Sequence, residues 1–335
     1  MSPEVIAAII AASVSFVTLI GTLAAQFFGY RATSRDTETT LREQREQLDK
    51  TLAEQREQLD RTLAEQSKQL DRTLAEQSTR TQNERFATAA DKLGSDKPPA
   101  VRLAGVYAMA GLADDWEENR QTCINVLCAY LHIPYEPDPG DKASAQERLN
   151  FLASREVRHT VIEVITEHLK DDAATSWRGL NFNFIGVVFD GGSFADARFC
   201  GGTVDFGWAQ FPERWVDFSR VEFSCRKVNF GGAKFFGGTV DFKGAKFSDG
   251  VADFGGAEFR HGEVRFMRAE FAGGTVNFSD AEFAGGMVDF SDAKFSGGTV
   301  DFSAAADWSH PPTFGWDGLP PHGVKLPAAT VQNQP

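Results

Sequence analysis

The chain has 335 residues and a formal net charge of −13, with 42% hydrophobic and 24% charged residues. This balance is ordinary for folded proteins and excludes wholesale disorder and collagen-like sequence. The acidic charge argues against direct nucleic-acid binding, which needs clustered Lys and Arg. The 4 widely spaced cysteines are too few for a disulfide scaffold and predict buried thiols in a reducing compartment. The excess of 29 Phe over 4 Tyr indicates a repeat.

Residues 1–30 are predicted to be a membrane anchor. From Val5 to Tyr30 the chain has 26 residues without a charge, enough at about 1.5 Å per residue to cross a hydrocarbon core of about 30 Å. A cleaved signal peptide is disfavoured because the apolar segment is too long and no positive charge precedes it. Four arginines follow the segment, so the positive-inside rule predicts an outer N-terminus and places the bulk of the chain in the cytoplasm.

Residues 31–82 are predicted to form a stalk, a long helix that associates weakly with a second copy. An 11-residue unit, QLDRTLAEQSK from Gln58, repeats here, and 11 residues over three turns give a straight or slightly right-handed seam. The third seam position is Gln, so the seam is thin, and tethering in a membrane would support the association. A solvated single helix that acts as a spacer is the alternative. The predicted seam residues are Leu48, Leu52, Leu59, Leu63, Leu70 and Leu74.

Residues 83–175 are predicted to be a module of ordinary amphipathic helices, separated by glycine and proline breaks. The last helix is expected to bury one broad apolar face. This face comprises Leu152, Val157, Val161, Val164, Ile165 and Leu169.

The module contains no recognisable chemical site. Cys123, Cys128 and His132 do not converge on one point of their helix, so we interpret the cysteines as core thiols rather than zinc ligands. His159 and His168 stand among charged residues, a pattern typical of a solvated helix face. No catalytic triad, phosphate loop or paired-carboxylate context is present, so we expect no enzyme activity, no cofactor and no metal.

Residues 178–306 are predicted to form a β-solenoid. Of the 29 Phe, 21 recur between 184 and 302, first at steps of five residues and then at alternating steps of seven and five. Ala or Val stands two residues before nearly every Phe and a polar residue lies between, so in a strand the small residue and the Phe point inward. Short strands stacked about 4.8 Å apart would then share one core. The predicted core repeat comprises Phe206, Phe218, Phe230, Phe242, Phe254, Phe266, Phe278, Phe290 and Phe302.

Gly-Gly pairs occupy the seven-residue steps, where positive φ would turn a corner. The pairs begin at Gly201, Gly237, Gly273, Gly285 and Gly297.

The triplets Ala197-Arg198-Phe199, Val204-Asp205-Phe206 and Ala281-Glu282-Phe283 resemble the pentapeptide-repeat motif Ala-(Asp/Asn)-(Leu/Phe)-x-x. The resemblance implies a right-handed quadrilateral β-helix, although the two-residue insertion at every second face departs from that pattern. Residues 85–115 also resemble the helical module of bacterial membrane-anchored pentapeptide-repeat-containing proteins, a family of unknown function. This resemblance implies a single-pass protein of the bacterial inner (plasma) membrane.

One coil would contain 24 residues if four faces close it, or 12 if two faces do. The 24-residue register stacks Glu222, Lys246, Glu270 and Lys294 with alternating sign, as cross-strand pairing favours. The 12-residue register places like charges side by side, so we prefer 24. In that register Asp205, Asn229, Asp253, Asn277 and Asp301 form a ladder whose side chains are expected to bond to nearby backbone.

The predicted fold class is therefore a multi-domain α + β-solenoid. Residues 307–335 are expected to be a cap and tail, with Trp308, Phe314 and Trp316 covering the end of the solenoid core. The predicted function is a membrane-anchored, non-enzymatic scaffold that binds an unknown protein partner. The alternative is a DNA-mimicking regulator of a topoisomerase such as gyrase.

Overall fold

The computed structural model describes residues 36–94, 96–134, 137–316 and 318–328. The chain divides into two compact units, Met1–Gln77 and Ser78–Pro335. Within the described ranges, no helix combines the length and the apolar character that a bilayer span requires. The predicted transmembrane segment, residues 5–30, lies outside the described residues.

Helix α1, Asp36–Leu93, contains the hendecad repeats. It is continuous over 58 residues and runs past residue 82, where the sequence analysis ends the stalk. Glu57 and Arg61, spaced i, i+4, form an exposed ion pair. The last turns of the helix belong to the second unit, in which Ala89 and Leu93 are buried in the core.

Three further α-helices and one 3₁₀ turn form the helical module. The bounds are Pro99–Asp115 for α2, Glu117–Asn119 for the 3₁₀ turn, Arg120–Leu131 for α3 and Ala145–Glu167 for α4. Proline at the first position of α2 is preset for a helix start. A reciprocal capping box between Ser144 and Glu147 begins α4.

Five of the six residues predicted for the apolar face of the last helix are buried, although Leu169 lies in the turn after α4, and the prediction is wrong for Leu152. Leu152 is 45% exposed, while its neighbour Phe151 is 5% exposed. Nine residues separate Leu152 from Val161, and at 100° per residue this places the two on opposite sides of the helix. Phe151 therefore occupies the inward position instead.

The solenoid consists of four parallel sheets, which we number as faces one to four in the order in which the chain visits them. Face one contains β1 (Phe182–Asn183), β4 (Thr203–Asp205), β8 (Lys227–Asn229), β12 (Val251–Asp253), β16 (Thr275–Asn277), β20 (Thr299–Asp301) and β22 (Val324–Lys325). Face two contains β5 (Gln210–Phe211), β9 (Lys234–Phe235), β13 (Glu258–Phe259) and β17 (Glu282–Phe283). Face three contains β2 (Gly192–Ser193), β6 (Trp215–Asp217), β10 (Thr239–Asp241), β14 (Glu263–Arg265), β18 (Met287–Phe290) and β21 (Thr313–Phe314). Face four contains β3 (Arg198–Cys200), β7 (Glu222–Ser224), β11 (Lys246–Phe247), β15 (Glu270–Phe271) and β19 (Lys294–Phe295).

The register confirms the 24-residue coil. Val204 pairs with Val228, and Lys246 lies between Glu222 and Glu270, as the charge alternation predicted. The first coil is shorter on face one, where Phe182 pairs with Val204. The reason is the run of five-residue steps at the start of the Phe series.

The Phe side chains stack in columns inside the coils, and the nine predicted core residues are each 0% exposed. On face one, ring centroids lie 4.7 Å apart between Phe206 and Phe230 and 4.8 Å apart between Phe230 and Phe254. Neighbouring columns meet edge to face, as between Phe206 and Phe218 at 5.4 Å and 87°. Both arrangements are favourable for aromatic rings, so the Phe excess is explained by one continuous core.

The corners and the end of the solenoid also agree with the predictions. In each predicted Gly-Gly pair one glycine has positive φ, for example 65° at Gly238, where a Cβ would lie 2.4 Å from the Arg214 carbonyl oxygen. At the end of the core, Trp308 packs against Phe302 with ring centroids 5.7 Å apart, and Trp316 packs against Phe295 at 5.4 Å.

Candidate functional site

The two residue sets that the sequence singled out have opposite environments. The core Phe are buried and have no access to a ligand. The seam leucines lie on the surface of α1. Leu48 and Leu52 are half-buried, whereas Leu59, Leu63, Leu70 and Leu74 are between 46% and 59% exposed. Among the described residues the seam is thus an uncovered apolar stripe.

The ladder of Asp and Asn on face one bonds to backbone, as expected. Asp205 accepts a hydrogen bond of 2.8 Å from the Gly207 N–H, and Asn229 donates to the same Asp205 oxygen at 2.8 Å. The carboxylate and amide side chains therefore bond to the backbone of their own coil and to the side chain of the neighbouring coil.

The cysteines of the helical module are core thiols, as predicted. Cys123 and Cys128 are buried, and burial raises the pKa of the Cys128 thiol to about 12. His132 lies with Nε2 3.0 Å from the Asn183 carbonyl oxygen. Across the described part of the chain, no group of three or more His, Cys, Asp or Glu side chains is arranged to hold a metal ion.

A polar groove lies between α4 and the first coils of the solenoid, within the second unit. Its volume is about 730 Å³. The wall from α4 and the turn after it is formed by one face of the helix, whose residues are spaced three or four apart. The lining residues are Arg155, His159, Glu163, Thr166, Glu167, Lys170, Gly191, Gly192, Ser193, Ala195, Asp196, Arg214, Trp215 and Asp217.

Glycine forms the floor of this groove. Gly191 and Gly192 have φ of 124° and 110°, in the region that favours glycine. A Cβ on Gly192 would lie 2.8 Å from Ile162 Cδ1, so the close approach of α4 to face three requires the missing side chain. Gly192 pairs with Val216 on face three, and the adjacent Trp215 lines the groove with its side chain 60% exposed.

Asp190 connects α4 to the segment of the first coil that contains Gly191 and Gly192. Its side chain is 4% exposed, and its carboxylate oxygens lie 3.4 Å from Arg155 Nε and 3.4 Å from His159 Nε2. Burial alone would raise the pKa of Asp190, but the contact with His159 and the charges of Arg158 and Arg155 together lower it. Asp190 is therefore a buried carboxylate that keeps its charge.

Buried Arg158 fixes the same junction with two further hydrogen bonds. Its guanidinium donates to the Leu131 carbonyl at 2.9 Å and to the Val188 carbonyl at 2.6 Å. Thr166 donates to the Ser193 carbonyl at 2.9 Å. The groove is therefore set by a junction with bonds at several points along the helix.

The prediction that His159 and His168 belong to a solvated helix face is wrong. His159 contacts buried Asp190, and the ring of His168 stacks on Trp177 with centroids 3.9 Å apart. Trp177 in turn donates to Asp114 at 2.9 Å. The start of the solenoid contacts the charged face of α4 at Arg155 and His159, a tertiary contact that the helix pattern by itself does not reveal. The spacing of Arg155, His159 and Glu163 at i, i+4 and i+8 was the signal available.

Charges in the groove are mostly paired. Arg155 pairs with Asp190, Lys170 with Glu167 at 2.5 Å, and Arg214 with Asp138 at 2.7 Å. Asp196 pairs with Arg220 at 2.7 Å. Two carboxylates of the lining form no ion pair within the described structure, Glu163 and Asp217. Asp217 accepts hydrogen bonds from the Ser219 N–H and the Ser193 hydroxyl, and it also interacts electrostatically with Arg220.

Comparisons with protein-family models, with curated proteins and with solved structures find no match to this chain. Function is therefore inferred from the groove, the stalk and the solenoid themselves.

Proposed function

We propose that the protein is a membrane-anchored, non-enzymatic scaffold of the pentapeptide-repeat type. In this proposal α1 associates with a second copy, and the helical module and solenoid present a surface to a protein partner in the bacterial cytoplasm. The uncharged segment at residues 5–30, outside the described residues, supports the anchor. The parallel solenoid with its 24-residue coil is compatible with a scaffold role.

The exposed seam on α1 is the single observation that carries this proposal. Leu59, Leu63, Leu70 and Leu74 recur at intervals of four and seven residues, and each is at least 46% exposed. Apolar side chains that recur on one side of a long helix are stabilised when a second helix covers them. A second copy offers the same stripe, and a shared membrane would raise its effective concentration.

The test compares two double variants of the full chain in detergent, by size-exclusion chromatography with light scattering. Leu63→Gln with Leu70→Gln removes two seam leucines, while Ala53→Gln with Ala64→Gln places Gln about 120° away from the seam. We expect an oligomer for the wild type and the alanine variant, and a monomer for the leucine variant. A monomeric wild type would contradict self-association.

The alternative, a DNA-mimicking topoisomerase regulator, requires a continuous acidic surface. On face four the outward side chains instead alternate in sign, as in the pairing of Lys246 with Glu222 and Glu270. This alternation favours the scaffold. A gyrase supercoiling assay with the purified chain would distinguish the two, because the scaffold predicts neither inhibition nor protection.

A further inference from the structure

We propose that the groove between α4 and face three binds a basic, arginine-bearing segment of a protein partner. The proposal rests on the scaffold function in that the occupant is a protein. The inference adds where on this chain the partner binds and which side chains of the partner are recognised.

The charge of the groove selects a cation. The lining side chains and their ion-pair partners comprise six carboxylates against four Lys or Arg. Every lysine and arginine of the lining already forms an ion pair with a carboxylate, whereas Glu163 and Asp217 form no ion pair among the described residues. An anionic ligand would therefore add to an existing excess of negative charge, while a guanidinium would balance it.

Trp215 supplies a stacking surface for that guanidinium. Its side chain is 60% exposed and lines the groove. Tryptophan is the aromatic residue that attracts cations best, and arginine is the cation found most often over such rings. The indole and the two unpaired carboxylates line one groove, so the groove offers a planar apolar contact and a counter-charge together.

The size of the groove favours a segment over a free amino acid. A volume of about 730 Å³ is within the range of sites that bury ligands much larger than one guanidinium group. The wall is also fixed in advance, because Asp190 and Arg158 are buried and bonded to both sides of the junction. Binding therefore requires little rearrangement of the protein.

The experiment measures fluorescence anisotropy of a labelled Ala-Arg-Ala-Arg-Ala-Arg-Ala amide with the full chain in nonionic detergent. The same peptide with citrulline in place of arginine keeps the shape and removes the charge. We expect saturable binding of the arginine peptide, weakening as salt is raised, and at least tenfold weaker binding of the citrulline peptide. Equal binding of the two peptides would overturn the proposal. So would competition by free arginine at the same concentration as the peptide.

Two pairs of variants locate the site. Trp215→Ala should weaken binding about threefold to fivefold, and Trp215→Phe should restore part of it. The matched control is Trp208→Ala, which removes an equally exposed indole, 63% against 60%, outside the groove. Likewise Glu163→Gln should weaken binding, whereas Glu156→Gln on the same helix should not. If the control variants weaken binding as much as the groove variants do, the groove is not the site.

Failure here is distinguishable from failure of the scaffold proposal. The peptide experiment does not depend on oligomeric state, and the light-scattering experiment does not depend on the groove. An oligomer that binds no arginine peptide would overturn only the inference about the groove.

Discussion

Substitution of Phe242 by Ala tests whether the Phe columns stabilise the solenoid. The ring is 0% exposed and stacks between Phe218 at 4.8 Å and Phe266 at 4.9 Å. It also meets Phe230 edge to face at 5.6 Å. Removing a buried Phe side chain costs about 3–5 kcal/mol, and a ring that makes pairs of about 0.5–1.5 kcal/mol each belongs in the upper part of that range. We therefore expect Phe242→Ala to lower the free energy of unfolding by about 4–5 kcal/mol.

Phe236 provides the control, because it lies outside the series. It is half-buried, and Lys234 Nζ lies 5.7 Å from its ring centroid. Phe236→Ala should cost less than about 1.5 kcal/mol, within the range of an incompletely buried side chain. The measurement is urea unfolding followed by tryptophan fluorescence and far-UV circular dichroism. Equal costs for the two variants would refute the reasoning.

Each coil contacts only its neighbours, so a weak coil in the middle should also reduce cooperativity. We expect Phe242→Ala to broaden the transition or split it into two, since coils on the two sides of the defect unfold more independently.

Three further predictions concern the corners, the ladder and the junction. Gly238 and Gly256 both have φ of 65°, but the nearest atom to an added Cβ is 2.4 Å away at Gly238 and 4.0 Å away at Gly256. Gly238→Ala should therefore lower the free energy of unfolding by at least about 3 kcal/mol. Gly256→Ala should lower it by about 1–2 kcal/mol. Lys246→Glu places three acids in a row on face four and should lower the free energy of unfolding by about 1 kcal/mol, with a smaller effect at high salt. Lys243 is exposed and outside that row, so Lys243→Glu should lower the free energy of unfolding by less than Lys246→Glu does. Urea unfolding at two salt concentrations measures both effects. The lowered pKa of Asp190 means that its stabilising effect is present above its unfolded pKa of about 3.9 and is lost as pH falls through the folded value. Asp190→Asn should therefore destabilise the chain at pH 7 and reduce the acid dependence of its unfolding; an unchanged acid dependence would show that another carboxylate is responsible.

The solenoid was predictable from sequence because the same pattern of Phe, small and polar residues recurs in every coil. Steps of five and seven between Phe residues fix which side chains point inward, and the sign alternation of Glu222, Lys246 and Glu270 was enough to choose 24 residues per coil. The candidate groove was not predictable in the same way. It depends on several contacts between α4 and the first coil. One of them joins His159 to Asp190, which are 31 positions apart with no repeat to signal the pairing. Leu152 is a related case, because an apolar residue lies on the buried face of a helix only if the rotation of 100° per residue brings it there.

The stalk and the groove predict a joint effect that neither predicts separately. A groove that binds through one stacked guanidinium and two carboxylates should bind weakly as a single site. Association through α1 would place two or more grooves in one particle, and a peptide with two arginine-bearing segments on a long flexible linker could then engage two grooves. We therefore expect the bivalent peptide to bind the wild-type chain at least tenfold more tightly than the single segment does. Leu63→Gln with Leu70→Gln should abolish this gain and leave the affinity for the single segment unchanged. If the leucine variant weakens binding of the single segment as well, the stalk acts on the groove directly and not through the number of copies.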